Sequence, residues 1–135
     1  MSHGSLDEGT LEKYRHAGTV LRRVLDDAAE LIELGVSHLE VAEFAEERIT
    51  EEADGCAFPA NISTDEEASH ATPAADDDAE FGEEMVCLDC GVHVDGYIAD
   101  AAVTVDLSGT PELVEAAEEA LDAALDVVGP GVETG

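Results

Sequence analysis

Two aspartates, Asp89 and Asp100, stand in the segment CLDCGVHVDGYIAD, which otherwise reads as two apolar strands. An unpaired carboxylate is costly to bury, so a strand-borne aspartate normally has a partner such as a cation. Carboxylate oxygens bind divalent metal ions, and two carboxylates can share a pair of them. The sequence therefore raises the question of whether these two side chains form a metal site.

The Asp-Gly pair at 95–96 predicts that the two strands form a hairpin, because such a pair between runs rich in Val and Ile is typical of a two-residue turn. In that register Gly91 pairs with Asp100. Asp89 then pairs with Ala102, and since side chains alternate across a sheet, the two acids share one face. As diagonal neighbours their Cβ atoms are expected roughly 7–8 Å apart or somewhat less. A three-residue loop would instead shift the register and put them on opposite faces.

Carboxylates at that separation can reach inward to two ions about 3.5–4 Å apart. Gly91, opposite Asp100, is expected to leave this face open. The alternative is that both acids point to solvent on a heavily acidic protein, and the geometry leaves the two interpretations open. His93 falls on the same face by this count, and a structural role is favoured for it over a ligand role.

The three cysteines, an odd number, do not indicate a disulfide framework. Cys87 and Cys90 have Cys-x-x-Cys spacing, but on a strand they project to opposite faces and cannot grip one ion without a turn. We interpret both as small buried apolar residues.

The composition is extremely acidic, with 34 Asp and Glu against 5 Lys and Arg and a formal net charge of −29. Such a surface disfavours nucleic acid, whose binding needs Lys and Arg, and anionic membranes as well. Acids spread along the whole chain suit a protein in concentrated salt, where screening suppresses self-repulsion; a specific basic partner is the alternative. With neither a signal-peptide pattern nor a membrane-length apolar run, a cytoplasmic location is expected.

Around the hairpin, the sequence predicts helices within a single domain of mixed α and β class, residues 1–135. Apolar residues at helical spacing define three of them: they span 11–34, 37–54 and 112–128. Gly35 is expected to end the first, the Ser-x-x-Glu capping box at 37–40 opens the second, and Pro111 starts the third. CAFPANIS reads as a short strand with a proline break, and the acidic run 74–84 reads as a solvated loop.

Several stretches together resemble the type 2 methionine aminopeptidases of archaea and eukaryotes. They are YRHAGTVLRRV, AFPANISTDEEASHATP and CLDCGVHVDGYIADAAVTV, and they cover nearly the whole chain in the family's order. The most specific parts are the DCGVHVDGYIAD hairpin and the AFP that is followed by SHATP. The resemblance implies half of a pita-bread fold, of class α+β, with two N-terminal helices, an antiparallel hairpin sheet and a C-terminal helix.

The resemblance also implies roles for four residues. Asp89 matches the family's first metal-binding aspartate, and Asp100 matches the second, which bridges both ions. His70 matches a histidine that contacts the substrate near the scissile bond, with a loop-capping histidine as the plain alternative. Phe58 matches an aromatic residue lining the pocket for the substrate's methionine side chain, with an ordinary core phenylalanine as the alternative.

The activity that the resemblance implies is hydrolytic removal of the initiator methionine from the N-termini of nascent polypeptides. Two divalent ions, whether Co, Mn, Fe(II) or Zn, lower the pKa of a water that attacks the peptide bond. Two other interpretations stay open, namely an inactive binding module of the same fold and an Xaa-Pro peptidase. The two aspartates and the histidine count against the first, and the AFP and SHATP motifs count against the second.

The chain departs from the family chiefly in its metal ligands, since the family's remaining ligands, a histidine and two glutamates, come from the second half of its fold; a minor departure is GEEM before the first metal strand, where the family usually has a Gly-Asp pair. No histidine follows His93 here. We therefore expect a truncated product or half of a split pair, with a separate C-terminal half as a partner and a sheet edge and apolar face left uncovered. Alone, the chain is expected to bind metal weakly and to be inactive; steady release of methionine from a Met-Ala-Ser peptide would contradict this.

Overall fold

The computed structural model describes residues 5–67 and 69–134. Across these residues the element order is two helices, three strands and a final helix, so the predicted α+β class is confirmed. The elements are α1 (Glu8–Ala29), α2 (His38–Glu52), β1 (Gly55–Thr64), β2 (Met85–Val94), β3 (Tyr97–Asp106) and α3 (Pro111–Val127).

The strands form one antiparallel sheet in the order β1-β2-β3. The predicted hairpin register is confirmed, since Val94 pairs with Tyr97 across the turn and Gly91 pairs with Asp100. The turn residue Asp95 has a φ of 52° and Gly96 one of 80°. Positive φ at both central positions matches the two-residue turn that an Asp-Gly pair favours.

The core lies between one face of the sheet and the helices α1 and α2. Its apolar side chains come from every second position of the central strand and from one stripe on each helix. The largest fully buried ones are Val24, Val41, Ile49, Val86, Leu88, Cys90 and Val92. Because Leu88 and Cys90 point into this core, Asp89 between them must point to the opposite face.

Both N-terminal helices begin at side-chain caps. The Asp7 carboxylate accepts the Thr10 N–H at 3.0 Å, and the Ser37 hydroxyl accepts the Glu40 N–H at 3.4 Å, as the predicted capping box requires.

The predicted end of α1 at residue 34 is wrong by five residues. The chain leaves the helix after Ala29 through tighter turns, in which the Ile32 N–H donates to the Ala29 carbonyl at 3.1 Å.

The acidic segment 74–84 is not the purely solvated loop that its composition predicted. Phe81 is 3% exposed and belongs to the core. Its N–H donates to the Val36 carbonyl at 2.9 Å, and its own carbonyl accepts the Gly35 N–H at 2.8 Å. The His38 ring packs on it with the centroids 4.3 Å apart, so one aromatic residue anchors the loop beside the start of α2.

The final helix α3 forms where it was predicted, but none of the residues described in it is buried. Leu113, Leu121 and Leu125 are each about 60% exposed. Helix α3, which flanks the edge strand β3, therefore presents an uncovered apolar face. Within the described ranges, no helix combines the length and apolarity needed to cross a bilayer.

Candidate metal centre

The sheet face that turns away from the helices, which we call the open face, carries both aspartates. Asp89 pairs with Ala102 on β3, and Asp100 pairs with Gly91 on β2, so the two acids are diagonal neighbours on one face. Asp100 is close enough to raise the pKa of the Asp89 carboxyl. The face count made from the sequence is thus confirmed, and neither acid points into the core.

The environment of Asp89 is unfavourable for an isolated anion. Burial raises the pKa of the Asp89 carboxyl, and the adjacent Asp100 carboxylate raises it further, while the positive field of His70 lowers it. Among the described residues, Asp89 Oδ1 is buried and has no hydrogen-bond partner. A buried acceptor facing a second carboxylate is an arrangement that a cation would relieve.

Phe58 on β1 stands beside these acids on the same face. It pairs with Gly91, and a Cβ built on Gly91 would lie only 2.4 Å from Phe58 Cε1. The ring therefore rests on the Gly91 backbone, next to the strand position of Asp100. The expectation that Gly91 leaves the space above it open is wrong, because the Phe58 ring occupies that space. Phe58 is half-buried on this face and is not part of the helix-facing core.

His70 lies in the loop that follows β1. Its φ of 70° is left-handed, a conformation that non-glycine residues rarely adopt. The next residue, Ala71, accepts the Ile62 N–H through its carbonyl at 2.7 Å and donates its own N–H to Ser63 Oγ at 3.4 Å. These bonds tie the loop to the outer edge of β1 and bring exposed His70 near Asp89.

Asn61 is a site residue that the sequence reasoning missed. It pairs with Asp89 across the sheet, and its Nδ2 donates to Thr72 Oγ1 at 2.7 Å and to the Pro59 carbonyl at 3.1 Å. It thus links β1 to the loop that carries His70. The available signal was its position, a polar residue three places after the AFP phenylalanine in the segment that reads as a short strand.

His93 and Cys87 complete this face. His93 Nδ1 accepts the Gly96 N–H at 3.4 Å, which is a contact within the hairpin turn and fits the structural role expected for it. Cys87 is half-buried on the open face, so only Cys90 fulfils the interpretation as a fully buried apolar residue. Burial is the main cause that raises the pKa of the Cys90 thiol to about 12.

The two carboxylates fit a divalent cation as ligands, as judged from the partnerless Asp89 oxygen and the mutual approach of the two acids. They are an incomplete ligand set. Over residues 5–67 and 69–134, no group of three or more His, Cys, Asp and Glu side chains is arranged to hold a metal ion.

Comparisons with known proteins assign the chain to a family. Residues 12–135 match metallopeptidase family M24. A methionine aminopeptidase of Archaeoglobus fulgidus is 52% identical over 128 residues, which cover 94% of this chain and 44% of that protein. The chain thus spans less than half the length of this relative. A methionine aminopeptidase of Methanocaldococcus jannaschii is 48% identical to this chain, and the matched residues cover 43% of that protein's length.

A solved structure gives the same fold. The methionine aminopeptidase of Thermotoga maritima superposes with a TM-score of 0.82 at 24% identity, over 94% of this chain and 55% of that one. This likeness confirms the predicted partial pita-bread architecture. The family match and the archaeal relatives together establish that the chain belongs to metallopeptidase family M24.

Proposed function

We propose that the chain is the N-terminal portion of a methionine aminopeptidase that removes the initiator methionine from nascent proteins. The observation that carries this proposal is the diagonal placement of Asp89 and Asp100 on the open face, with one Asp89 oxygen buried and lacking a partner among the described residues. The identity of 52% to an archaeal methionine aminopeptidase supports this substrate class over an Xaa-Pro substrate.

Each residue on the open face has a distinct task in this proposal. Asp89 and Asp100 hold divalent metal, which supplies Lewis acidity and lowers the pKa of a bound water. Phe58 lines the pocket for the substrate's methionine side chain. The pocket recognises that side chain by its shape and by apolar contact. His70 donates a hydrogen bond to the peptide near the scissile bond, and the contacts from β1 to Ala71 and Thr72 hold its loop in place.

Two carboxylates alone grip divalent ions weakly, so the proposal includes further ligands from outside the described residues. These are a histidine and two glutamates of a C-terminal half, supplied by the same polypeptide or by a separate chain. The metal count is two, with Co, Mn, Fe(II) or Zn as the candidate ions.

The site is tested by titrating the 135-residue chain with Mn²⁺ and Co²⁺ by calorimetry in concentrated KCl, which screens nonspecific binding to the acidic surface. Broadening of backbone NMR signals by Mn²⁺ detects the weak binding expected. Asp89→Ala and Asp100→Ala should each weaken binding by on the order of tenfold or more and abolish broadening at Gly91.

Glu83→Ala is the matched control, because Glu83 is an exposed acid of the preceding loop. It should leave both the affinity and the broadening unchanged. The proposal fails if the two aspartate variants bind the ions as tightly as the parent chain and retain the broadening around Gly91.

A further inference from the structure

The strand β1 is irregular on both sides of Phe58. Between the pairs Phe58–Gly91 and Asn61–Asp89, β1 has two residues where β2 has only Cys90. Between Cys56–Val92 and Phe58–Gly91, β1 again has one residue more than its partner. Consecutive bulges of this kind re-aim a side chain and leave backbone groups unpaired in the ladder, so the direction of Phe58 needs an additional constraint.

Glu46 of α2 supplies contacts at both ends of the bulged segment. Its Oε1 accepts the Ala60 N–H at 2.9 Å, which is a hydrogen bond to a charged acceptor. Its backbone carbonyl accepts from Cys56 Sγ at 3.9 Å. One half-buried residue on the core side of the sheet therefore brackets the segment with Phe58 at its centre.

The remaining constraint comes from the opposite side. The Phe58 ring rests on Gly91, where a Cβ would approach it to 2.4 Å. The position of the Phe58 ring is thus constrained by the Gly91 backbone on which it rests and by β1, whose bulged segment Glu46 contacts on the core side of the sheet. Pro59, between Phe58 and Ala60, has no N–H, so the Ala60 N–H is the nearest backbone donor after the aromatic residue.

We infer that Glu46 is a positioning residue, which acts through the Ala60 N–H to hold Phe58 as the wall of the methionine pocket. The pocket itself rests on the proposed function, whereas the placement of the ring does not. Glu46 touches neither the aspartates' face nor a substrate on it. Its effect is transmitted through the strand, from the helix side to the open side.

The test compares two isosteric substitutions in the 135-residue chain. Glu46→Gln keeps an oxygen that accepts the Ala60 N–H, while Glu46→Met keeps the volume and lacks a strong acceptor. Glu47→Ala is the control, since Glu47 is the adjacent exposed acid of the same helix. The readouts are hydrogen exchange of the Ala60 amide and the NMR shift of the Gly91 Hα, which the overlying ring displaces.

In Glu46→Met the Ala60 amide should exchange roughly tenfold faster or more, because a hydrogen bond to a charged acceptor is lost. The Gly91 Hα should move toward its position in Phe58→Leu, where the ring is absent. Glu46→Gln should retain most of the parent shift, and Glu47→Ala all of it. A purely structural role would lower the urea midpoint of Glu46→Met without moving the Gly91 Hα, and that result overturns the inference.

A titration with methionine amide separates this inference from the proposed function. The amide should perturb the Phe58 ring signals in the parent and in Glu46→Gln, and less in Glu46→Met. If Phe58 in the parent does not respond, the methionine pocket is wrong, and a displaced Gly91 Hα in Glu46→Met still shows that Glu46 positions the ring. If Gly91 stays unmoved in Glu46→Met, the positioning role is wrong whether or not the amide binds.

Discussion

The Phe58 ring lies so close to the Gly91 backbone that a Cβ on Gly91 would stand 2.4 Å from Cε1 and 2.7 Å from Cδ1. Both distances are far below van der Waals contact, and the Ala57 Cβ would be 3.0 Å away as well. The absence of a side chain at Gly91 is therefore a steric requirement for the observed position of the aromatic ring. Its φ is not in the left-handed region, so this glycine serves close approach and not an unusual backbone.

Replacing Gly91 with alanine should push the Phe58 ring out of its position and lower the free energy of unfolding by about 1–3 kcal/mol, the usual cost of overpacking. Urea denaturation measures the loss. Gly18→Ala is the matched control, because a Cβ there meets nothing within 4 Å and the residue lies inside α1. That control should raise stability by roughly 0.5–1 kcal/mol. Equal stability of Gly91→Ala and the parent would contradict the steric reading.

Asp89→Asn should stabilise the metal-free chain at neutral pH. The substitution removes one of two adjacent carboxylates and gives Asp100 an amide donor, so a gain of on the order of 1 kcal/mol is expected. The same change should weaken binding of Mn²⁺. A residue that costs stability and serves binding is typical of a functional site. Thermal unfolding in EDTA and in Mn²⁺ measures the two effects.

The advantage of Asp89→Asn should depend on pH. The pKa of the Asp89 carboxyl is raised above its ordinary 3.8, first by burial and then by Asp100. The folded parent therefore holds this proton more tightly than the unfolded chain, and its stability relative to the variant falls as pH rises through that raised pKa. The pH-dependent part of the difference should be largest at neutral pH and disappear below pH 3.8, where the carboxyl is protonated in both the folded and the unfolded chain. A difference that grows on acidification would contradict this assignment.

The hairpin was predictable because two local signals agree. The Asp-Gly turn fixes the register, the alternation of apolar residues fixes the face, and Gly91 opposite Asp100 follows from counting. Such agreement between turn chemistry and periodicity leaves one register in which Leu88 and Cys90 are buried. The acids on the other face then come together without further information.

Other features depend on contacts between distant segments, which periodicity does not encode. Leu31 and Ile32 continue the apolar pattern of α1 in the sequence. In the structure they lie in the turns that follow Ala29, and from there they pack against the core. Phe81 is the one large apolar residue in the acidic run 74–84, and it is buried in the core beside the His38 ring at the start of α2. In the bulged part of β1, the Ala60 N–H donates to Glu46 Oε1, which lies 14 residues away in sequence.

Cys90 should resist alkylation in the folded chain. Its thiol has a pKa of about 12, so at pH 8 its thiolate fraction is roughly a thousandfold below that of an ordinary cysteine. Burial also raises the pKa of the Cys56 and Cys87 thiols, but both are half-buried and should react first. Mass spectrometry of peptides after timed iodoacetamide treatment gives the order. Labelling of Cys90 as fast as Cys87 would show that the core opens.

The apolar face of α3 should contribute little to the stability of this chain. Leu121 is 59% exposed, whereas Leu88 is fully buried. Leu121→Ser should therefore change the free energy of unfolding by about 0.5 kcal/mol or less, while Leu88→Ala should cost about 2–5 kcal/mol. The exposed leucines also form an apolar patch that should bind a hydrophobic dye, and Leu121→Ser should reduce the dye fluorescence without loss of fold. A cost of 2 kcal/mol or more for Leu121→Ser would mean that α3 packs against the domain in solution.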